Sequence, residues 1–251
     1  MESKMLNIVL EIVQQMIEVG GEVYRAEESI NRICLAYGAK RVDAYVTTMN
    51  IVVSVENEDG SIITLTRRIE KTGTDIERLD KINSLVRWMS NECPELDEVK
   101  KRMKQIEECA TYPFWVILIF YGVIAGAFCV FFGASSVAEV LVAVLAGVLV
   151  GCTAKLFEII SATKTISRFV CSFVACAVAF AFERLGVIHS VDMVIIGNIM
   201  ALIPGIGLTN ALRDLFTGDS ITGVLRCIEA VLIALAIACG YVVAAFLFGG
   251  V

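Results

Sequence analysis

The hydrophobic pattern from residue 113 onward predicts about five membrane-spanning helices. Residues 113–132 are twenty continuous apolar residues, close to the length that crosses the hydrocarbon core of a bilayer. Further apolar segments lie near 137–156, 169–188, 191–208 and 227–248. A membrane all-α bundle of about five transmembrane helices is therefore expected over residues 113–251.

The pattern before residue 113 predicts a small α+β domain. Two stretches rich in β-branched residues, 42–56 and 61–69, flank the turn sequence of residues 57–60 and predict a hairpin. Amphipathic helices are predicted over residues 4–19, from Gly21 to about Tyr37, from near Asp75, and over 95–110 after Pro94. Residues 1–112 are long enough to enclose a core of their own.

The charges divide the chain at the same place. Residues 1–112 hold 15 Lys+Arg and 20 Asp+Glu, whereas residues 113–251 hold only 6 and 7. The whole chain is 57% hydrophobic with a mean hydropathy of +0.75, which is too apolar for an ordinary soluble domain of this length. We therefore predict a charged domain over 1–112 and a membrane domain over 113–251.

The basic residues between the predicted spans indicate an orientation. By the positive-inside rule they place the N-terminal domain in the cytoplasm and the C-terminus outside. The first residues lack the basic start and apolar core of a signal peptide, which agrees with that placement. The basic residues on the predicted inner side are Lys100, Lys101, Arg102, Lys104, Lys155, Lys164, Arg168, Arg213 and Arg226.

Residues 202–229 set charged and helix-breaking residues between two of the most apolar segments. Pro204, Gly205 and Gly207 predict an interrupted helix, an element from which many transporters build substrate sites. The backbone groups freed there must be satisfied by a substrate, water or a neighbouring helix. A simple kink is the alternative. The segment favours a membrane transporter, or part of one.

Ionisable residues in this segment are candidates for substrate or proton binding. Asp214 leads, because its carboxylate can exchange a proton or bind an ammonium group; the alternative is a surface ion pair with Arg213 or Arg226. Asp219 is a weaker candidate that can equally cap the following helix. Either arginine can bind a substrate carboxylate. The alternatives for the arginines are topogenic charge and, for Arg226, a helical pair with Glu229.

Polar residues near the interruption could contact the substrate. Asn198, Thr209 and Asn210 are candidates for binding a substrate carboxylate or hydroxyl, with hydrogen bonding between helices as the alternative for Asn198. Acidic residues near span ends, such as Glu139, are expected to reach the membrane interface.

No cofactor, metal or catalytic chemistry is predicted. Cys129, Cys152, Cys171, Cys176 and Cys239 fall within the predicted spans, and without a CxxC pair or a His-containing metal pattern they are interpreted as packing residues. The N-terminal domain has no nucleophile–base arrangement and no phosphate-binding glycine loop. Its net acidic charge disfavours nucleic acid as a partner.

Four stretches match a known family: residues 20–38, 46–69, 74–89 and, most specifically, 202–229. On these residues the chain resembles the threonine/serine exporter family, specifically its N-terminal half, which in many bacteria is a separate YjjP-like subunit. The resemblance implies a bacterial inner-membrane exporter of threonine and serine driven by the proton gradient. For split relatives it implies a two-subunit exporter, and some of those handle dicarboxylates such as succinate.

A partner chain is expected for the same reason. The chain stops after the fifth predicted span and lacks the second membrane half of the full-length family pattern, so a YjjB-like membrane subunit is expected to supply it. Small residues at helix-packing intervals are expected either to pack helices within the bundle or to form a contact surface for such a partner. Assembly into a higher oligomer is a further alternative. The alternatives in function are a dicarboxylate exporter subunit and a non-transporting regulatory or assembly subunit. The residues at those intervals are Gly122, Gly126, Ala143, Gly147 and Gly151.

Overall fold

The computed structural model describes residues 2–71, 73–108, 112–160 and 163–249. The chain forms two compact units. We call residues 1–110 with 209–226 the N-terminal unit, and residues 111–208 with 227–251 the apolar unit. Residues 209–226 thus fold with the start of the chain, although they lie between two apolar segments in the sequence. The assignment of residues 1–112 to the cytoplasm and 113–251 to the membrane stays a prediction.

Helices α1 (Ser3–Glu18) and α2 (Val23–Ala36) form the centre of the N-terminal unit. Their apolar stripes are buried in one core that also takes in the sheet described below. The turn between them requires glycine twice. Gly20 has a φ of +95°, and a Cβ on Gly21 would lie 2.6 Å from the carbonyl oxygen of Met16, closer than any side chain tolerates.

Strands β1 (Ala39–Val46), β2 (Asn50–Asn57) and β3 (Ile62–Arg68) form an antiparallel sheet in that order. The predicted hairpin turn joins β2 to β3 and is confirmed. The stretch 42–56 is not one strand, because a turn at Thr47 divides it. The hydroxyl of Thr47 accepts hydrogen bonds from the backbone N–H groups of Met49 at 3.2 Å and Asn50 at 3.0 Å, which reverses the chain.

Helices α3 (Ile76–Glu92) and α4 (Leu96–Glu107) complete the N-terminal unit, apart from residues 209–226. The Asp75 carboxylate caps α3 by accepting from the Arg78 backbone N–H at 2.9 Å. Pro94 follows the end of α3 and cannot continue it. The helices lie where the sequence predicted them, within one or two residues at the ends that the structure describes.

The remaining helices are mostly apolar. They are α5 (Phe114–Phe131), α6 (Val137–Ile159), α7 (Lys164–Arg184), α8 (Val191–Met200), α9 (Gly205–Thr217) and α10 (Ser220–Ala244), followed by a π-helical turn at Ala245–Gly249. By length and composition, 4 helices of the described residues can cross a membrane, or up to 5 if α8 and α9 count as one span bent by 53°. The structure is therefore mostly helical, with 4 or 5 candidate membrane spans and a small sheet near the N-terminus.

Three predicted spans differ in detail. The span expected over 227–248 begins earlier, at Ser220. The span expected over 169–188 is helix α7, which ends at Arg184, because Gly186 (φ +70°) turns the chain in a left-handed conformation. The span expected over 191–208 is not one straight helix but is interrupted after Met200.

Small residues bring the helices of the apolar unit close together. A Cβ on Gly147 of α6 would lie 2.7 Å from the carbonyl oxygen of Tyr121 in α5. A Cβ on Gly197 of α8 would lie 2.6 Å from the carbonyl oxygen of Ala125, which is also in α5. These glycines therefore serve packing within the unit.

Candidate functional site

The interruption predicted at Pro204 lies between α8 and α9. Pro204 immediately precedes the first residue of α9, Gly205, where its missing N–H costs no helical hydrogen bond. A Cβ built on Gly205 would meet no heavy atom of the described residues within 4 Å, and one on Gly207 would meet only Pro204, at 3.9 Å. Packing among the described residues therefore does not demand glycine at either position.

The carboxylate of Asp214 is buried and paired with Arg226. Asp214 is 1% exposed, and its Oδ2 accepts a hydrogen bond from Nη1 of Arg226 at 2.8 Å. The Arg226 side chain is 12% exposed, and its Nη2 donates to the carbonyl oxygen of Gly21 at 3.1 Å. Of the two arginines considered as partners for Asp214, the structure selects Arg226. A pair this buried carries a desolvation cost that its hydrogen bonds must offset.

The close crossing of α9 and α10 brings the pair together. Gly218 (φ +100°) turns the chain between the two helices, and the Asp219 backbone N–H donates to the Asp214 carbonyl oxygen at 2.9 Å. A Cβ on Gly223 would lie 2.6 Å from Cγ of Leu215 and 2.9 Å from the carbonyl oxygen of Ala211. Only glycine lets the start of α10 run this near α9.

Two further residues of α9 bind the turn between α1 and α2. The guanidinium of Arg213 pairs with the carboxylate of Glu22. The side-chain amide of Asn210 donates to the carbonyl oxygen of Gly20 at 3.4 Å. Arg226 binds Gly21, as described above. Asn210, Arg213 and Arg226 thus contact three consecutive residues, 20–22.

Asp219 lies at the residue before α10, where the alternative interpretation placed a helix cap. Its carbonyl oxygen accepts from the Gly223 backbone N–H at 2.9 Å, the first hydrogen bond of that helix. Glu27 is an acidic residue of the same unit that the sequence did not connect with Asp219. Its carboxylate accepts from the Val46 backbone N–H at 2.9 Å. Burial raises the pKa of Glu27, the Val46 N–H lowers it, and the charge of Asp219 raises it further.

Asn198 and Thr209 differ in their surroundings. Asn198 belongs to the apolar unit, where its amide donates to the carbonyl oxygens of Ala143 at 3.3 Å and Val194 at 2.9 Å. It therefore joins α8 to α6. Its Oδ1 is buried and accepts no hydrogen bond within the part of the chain that the structure describes. Thr209 is exposed on α9.

Glu139, which was expected to extend to the membrane interface, is instead buried among protein atoms and 1% exposed. Its carboxylate accepts from the backbone N–H groups of Ser135 at 2.8 Å, Ser136 at 3.2 Å and Ser190 at 3.0 Å. It thereby ties the start of α6 to the turn before α8. The spacing of Ser136 and Glu139 is a capping box, a sequence signal that could have identified this role.

Within the described ranges, no group of three or more His, Cys, Asp or Glu residues could hold a metal ion. The cysteines of those ranges are free, and four of them are fully buried in helices. They are Cys34, Cys129, Cys171 and Cys176.

Comparison with known proteins identifies relatives along nearly the whole chain. The model of the threonine/serine exporter family (ThrE) matches residues 7–248. A protein of Klebsiella aerogenes named "Probable succinate transporter subunit YjjP" is 25% identical over 246 residues, which cover 93% of this chain and 90% of the relative. The protein of that name from Escherichia coli K12 is 24% identical over 246 residues, covering 93% and 91%.

A longer relative is also similar. The "Probable threonine/serine exporter" of Mycobacterium tuberculosis is 24% identical over 243 residues, which cover 96% of this chain and 45% of that protein. No solved structure matches the chain. The family and these relatives are transporters and not enzymes. With the family model matching all but the ends, the chain belongs to the threonine/serine exporter family.

Proposed function

We propose that this chain is one subunit of a proton-gradient-driven exporter in the bacterial inner membrane, with threonine and serine as substrates and a YjjB-like membrane subunit as partner. The observation that carries the subunit proposal is the match to relatives named as transporter subunits, which covers 90% and 91% of their lengths. The proposed substrates rest on the match to the threonine/serine exporter family. A protein named as a subunit works with a second chain, and this chain aligns with such a subunit almost from end to end.

The distribution of the two units supports a cytoplasmic N-terminal domain and an outer C-terminus. Residues 1–110 and 209–226 fold as one compact unit, which requires an even number of membrane crossings between them. Four such crossings are available between them: α5, α6, α7 and the interrupted segment that includes α8. The lysines and arginines beside these helices favour the cytoplasm for that side.

The residues around the Asp214–Arg226 pair are the proposed substrate and proton site. Arg213, Arg226 and Asn210 supply hydrogen-bond donors for a substrate carboxylate, and Asp214 supplies a carboxylate for a proton or a substrate ammonium group. Asp219 and Thr209 are proposed as further polar contacts.

Succinate is the alternative substrate, because two relatives are named as subunits of a succinate transporter. A dicarboxylate needs two cationic partners, which Arg213 and Arg226 could provide. An amino acid needs one cationic and one anionic partner, which the Asp214–Arg226 pair could provide. A non-transporting regulatory or assembly subunit is a further candidate, favoured by the binding of residues 209–226 to the α1–α2 turn.

The test is uptake and counterflow in vesicles that contain this chain with or without a YjjB-like partner. Labelled serine, threonine and succinate are supplied in turn under an imposed pH gradient. Flux of serine or threonine that requires both chains supports the proposal. Flux of succinate alone moves the chain to the dicarboxylate alternative. No flux of any solute in a verified complex overturns the transport proposal and favours the regulatory subunit.

A further inference from the structure

Three side-chain donors of α9 and α10 are bound to one short turn of the N-terminal sequence. Asn210 binds the carbonyl oxygen of Gly20, Arg226 that of Gly21, and Arg213 the carboxylate of Glu22. A primary amide and two guanidinium groups are donors that suit a carboxylate. In this structure the chain itself provides their acceptors.

The carboxylate of Glu22 does not cap its own helix. Glu22 is the N-cap residue of α2, yet its side chain makes no capping hydrogen bond. It lies between two arginines instead, with Arg25 Nε at 3.5 Å on its own helix and Arg213 on α9. The Arg213 side chain is 52% exposed and Glu22 is 20% exposed, so a dissolved carboxylate can reach the guanidinium from solvent.

The turn that carries Glu22 is also bonded to the segment before α3. The Gly73 N–H donates to the Glu18 carbonyl oxygen at 2.6 Å, and the Asp75 N–H donates to that of Val19 at 3.0 Å. The glycine geometry described above restricts the turn further. With the backbone of the turn held, the contact with α9 is released by rotation of the Glu22 or Arg213 side chain, or by movement of α9.

We propose that Glu22 is an internal competitor for the exported acid, with its carboxylate occupying the place at Arg213 that a substrate carboxylate takes during transport. The inference rests on the proposed function and adds a gate to it. The Glu22 side chain occupies Arg213 when no substrate is bound, and a substrate carboxylate displaces Glu22 from Arg213. The ligand class is a small monocarboxylate or dicarboxylate.

The proposal predicts opposite effects at the two ends of one ion pair. An internal competitor lowers the fraction of binding-competent sites and so raises the apparent KM. Glu22→Gln removes the competitor and is expected to lower KM roughly two- to fivefold, the range for a partly exposed ion pair. Arg213→Gln removes the substrate's own partner and is expected to raise KM. An ion pair with a purely structural role predicts changes in the same direction.

The experiment measures KM and kcat of flux for the complex of this chain with its YjjB-like partner, for serine, threonine and succinate. Glu28→Gln is the matched control, because it removes the same charge from an exposed position of α2, and its KM is expected to equal that of the wild type. Arg25→Gln tests the inference without altering Glu22. Without Arg25, the Glu22 carboxylate pairs only with Arg213. Glu22 then competes more strongly with the substrate, and KM is expected to rise.

The outcomes separate this inference from the proposed function. A wild-type complex that transports none of the solutes overturns the proposed function. Normal wild-type flux with an unchanged or raised KM in Glu22→Gln overturns the gate alone. If Glu22→Gln does not assemble, an unchanged or lowered KM in Arg25→Gln overturns it in the same way.

Discussion

Arg226 donates to the buried carboxylate of Asp214 at 2.8 Å, across the turn between α9 and α10. The same guanidinium reaches the carbonyl oxygen of Gly21, 205 residues earlier in the chain. One side chain thus links the two parts of the N-terminal unit. The ion pair with Asp214 joins residues 12 positions apart, whereas the hydrogen bond to Gly21 joins distant parts of the chain.

Breaking the Asp214–Arg226 pair from either side is expected to destabilise the fold. Asp214→Asn and Arg226→Gln each leave a buried partner without its counter-charge, and such losses cost about 3–5 kcal/mol. The double variant leaves neither charge and is expected to lose less than the sum of the two single variants. Thermal unfolding of the four purified proteins in one detergent measures this. Additive losses would show that the two side chains do not interact.

Asp214→Asn is expected to abolish gradient-driven flux of the complex. If Asp214 carries a proton, counterflow persists, because exchange needs no net proton movement. If Asp214 binds the substrate ammonium group, counterflow is lost too. The measurement compares the two modes in vesicles with equal amounts of assembled complex. Asp80→Asn, at an exposed position of α3, is the control, and wild-type flux in Asp214→Asn contradicts a role for this carboxylate.

Gly223→Ala and Gly205→Ala form a matched pair of helical substitutions. The first is expected to destabilise the protein by about 1–3 kcal/mol, because its Cβ overlaps α9. The second is expected to leave stability equal or up to about 1 kcal/mol higher, because alanine favours a helix and meets no described atom. Thermal unfolding measures both. A loss of flux in a stable Gly205→Ala protein would indicate that the interruption must flex during transport.

The stability of the N-terminal unit is expected to depend on pH through Glu27. Because the pKa of Glu27 is raised in the folded state above the ordinary value of 4.5, the folded state holds its proton more tightly than the unfolded state. This stabilising effect is complete below the unfolded pKa and is lost as pH rises through the folded pKa.

Glu27→Gln removes that titration and keeps an acceptor for the Val46 N–H. The melting temperature of this variant relative to the wild type is therefore expected to rise as the pH increases from the unfolded-state pKa of Glu27 through its folded-state pKa. Glu28→Gln provides the control on the same helix. If the melting temperatures of the wild type and Glu27→Gln changed in parallel with pH, a raised pKa of Glu27 in the folded state would be contradicted.

The local elements of this protein follow from its sequence because their signals are local. The hairpin turn at residues 57–60, the cap at Asp75 and the apolar segments after residue 113 each depend on a few neighbouring residues. The same patterns led to the family, which the match over residues 7–248 confirms. The capping box at Ser136 was equally local, and reading it would have placed Glu139 correctly.

The sequence alone singled out residues 202–229 but left the partner of Asp214 open between two arginines. Only the tertiary structure decided for Arg226, because the choice depends on how closely α10 approaches α9 at Gly223. It also showed that Arg213 binds Glu22, 191 residues away. Charge alone allows many such pairs, and which of them forms is decided by the packing that brings distant segments together. The sequence determined the elements and the family, and the fold determined which side chains meet.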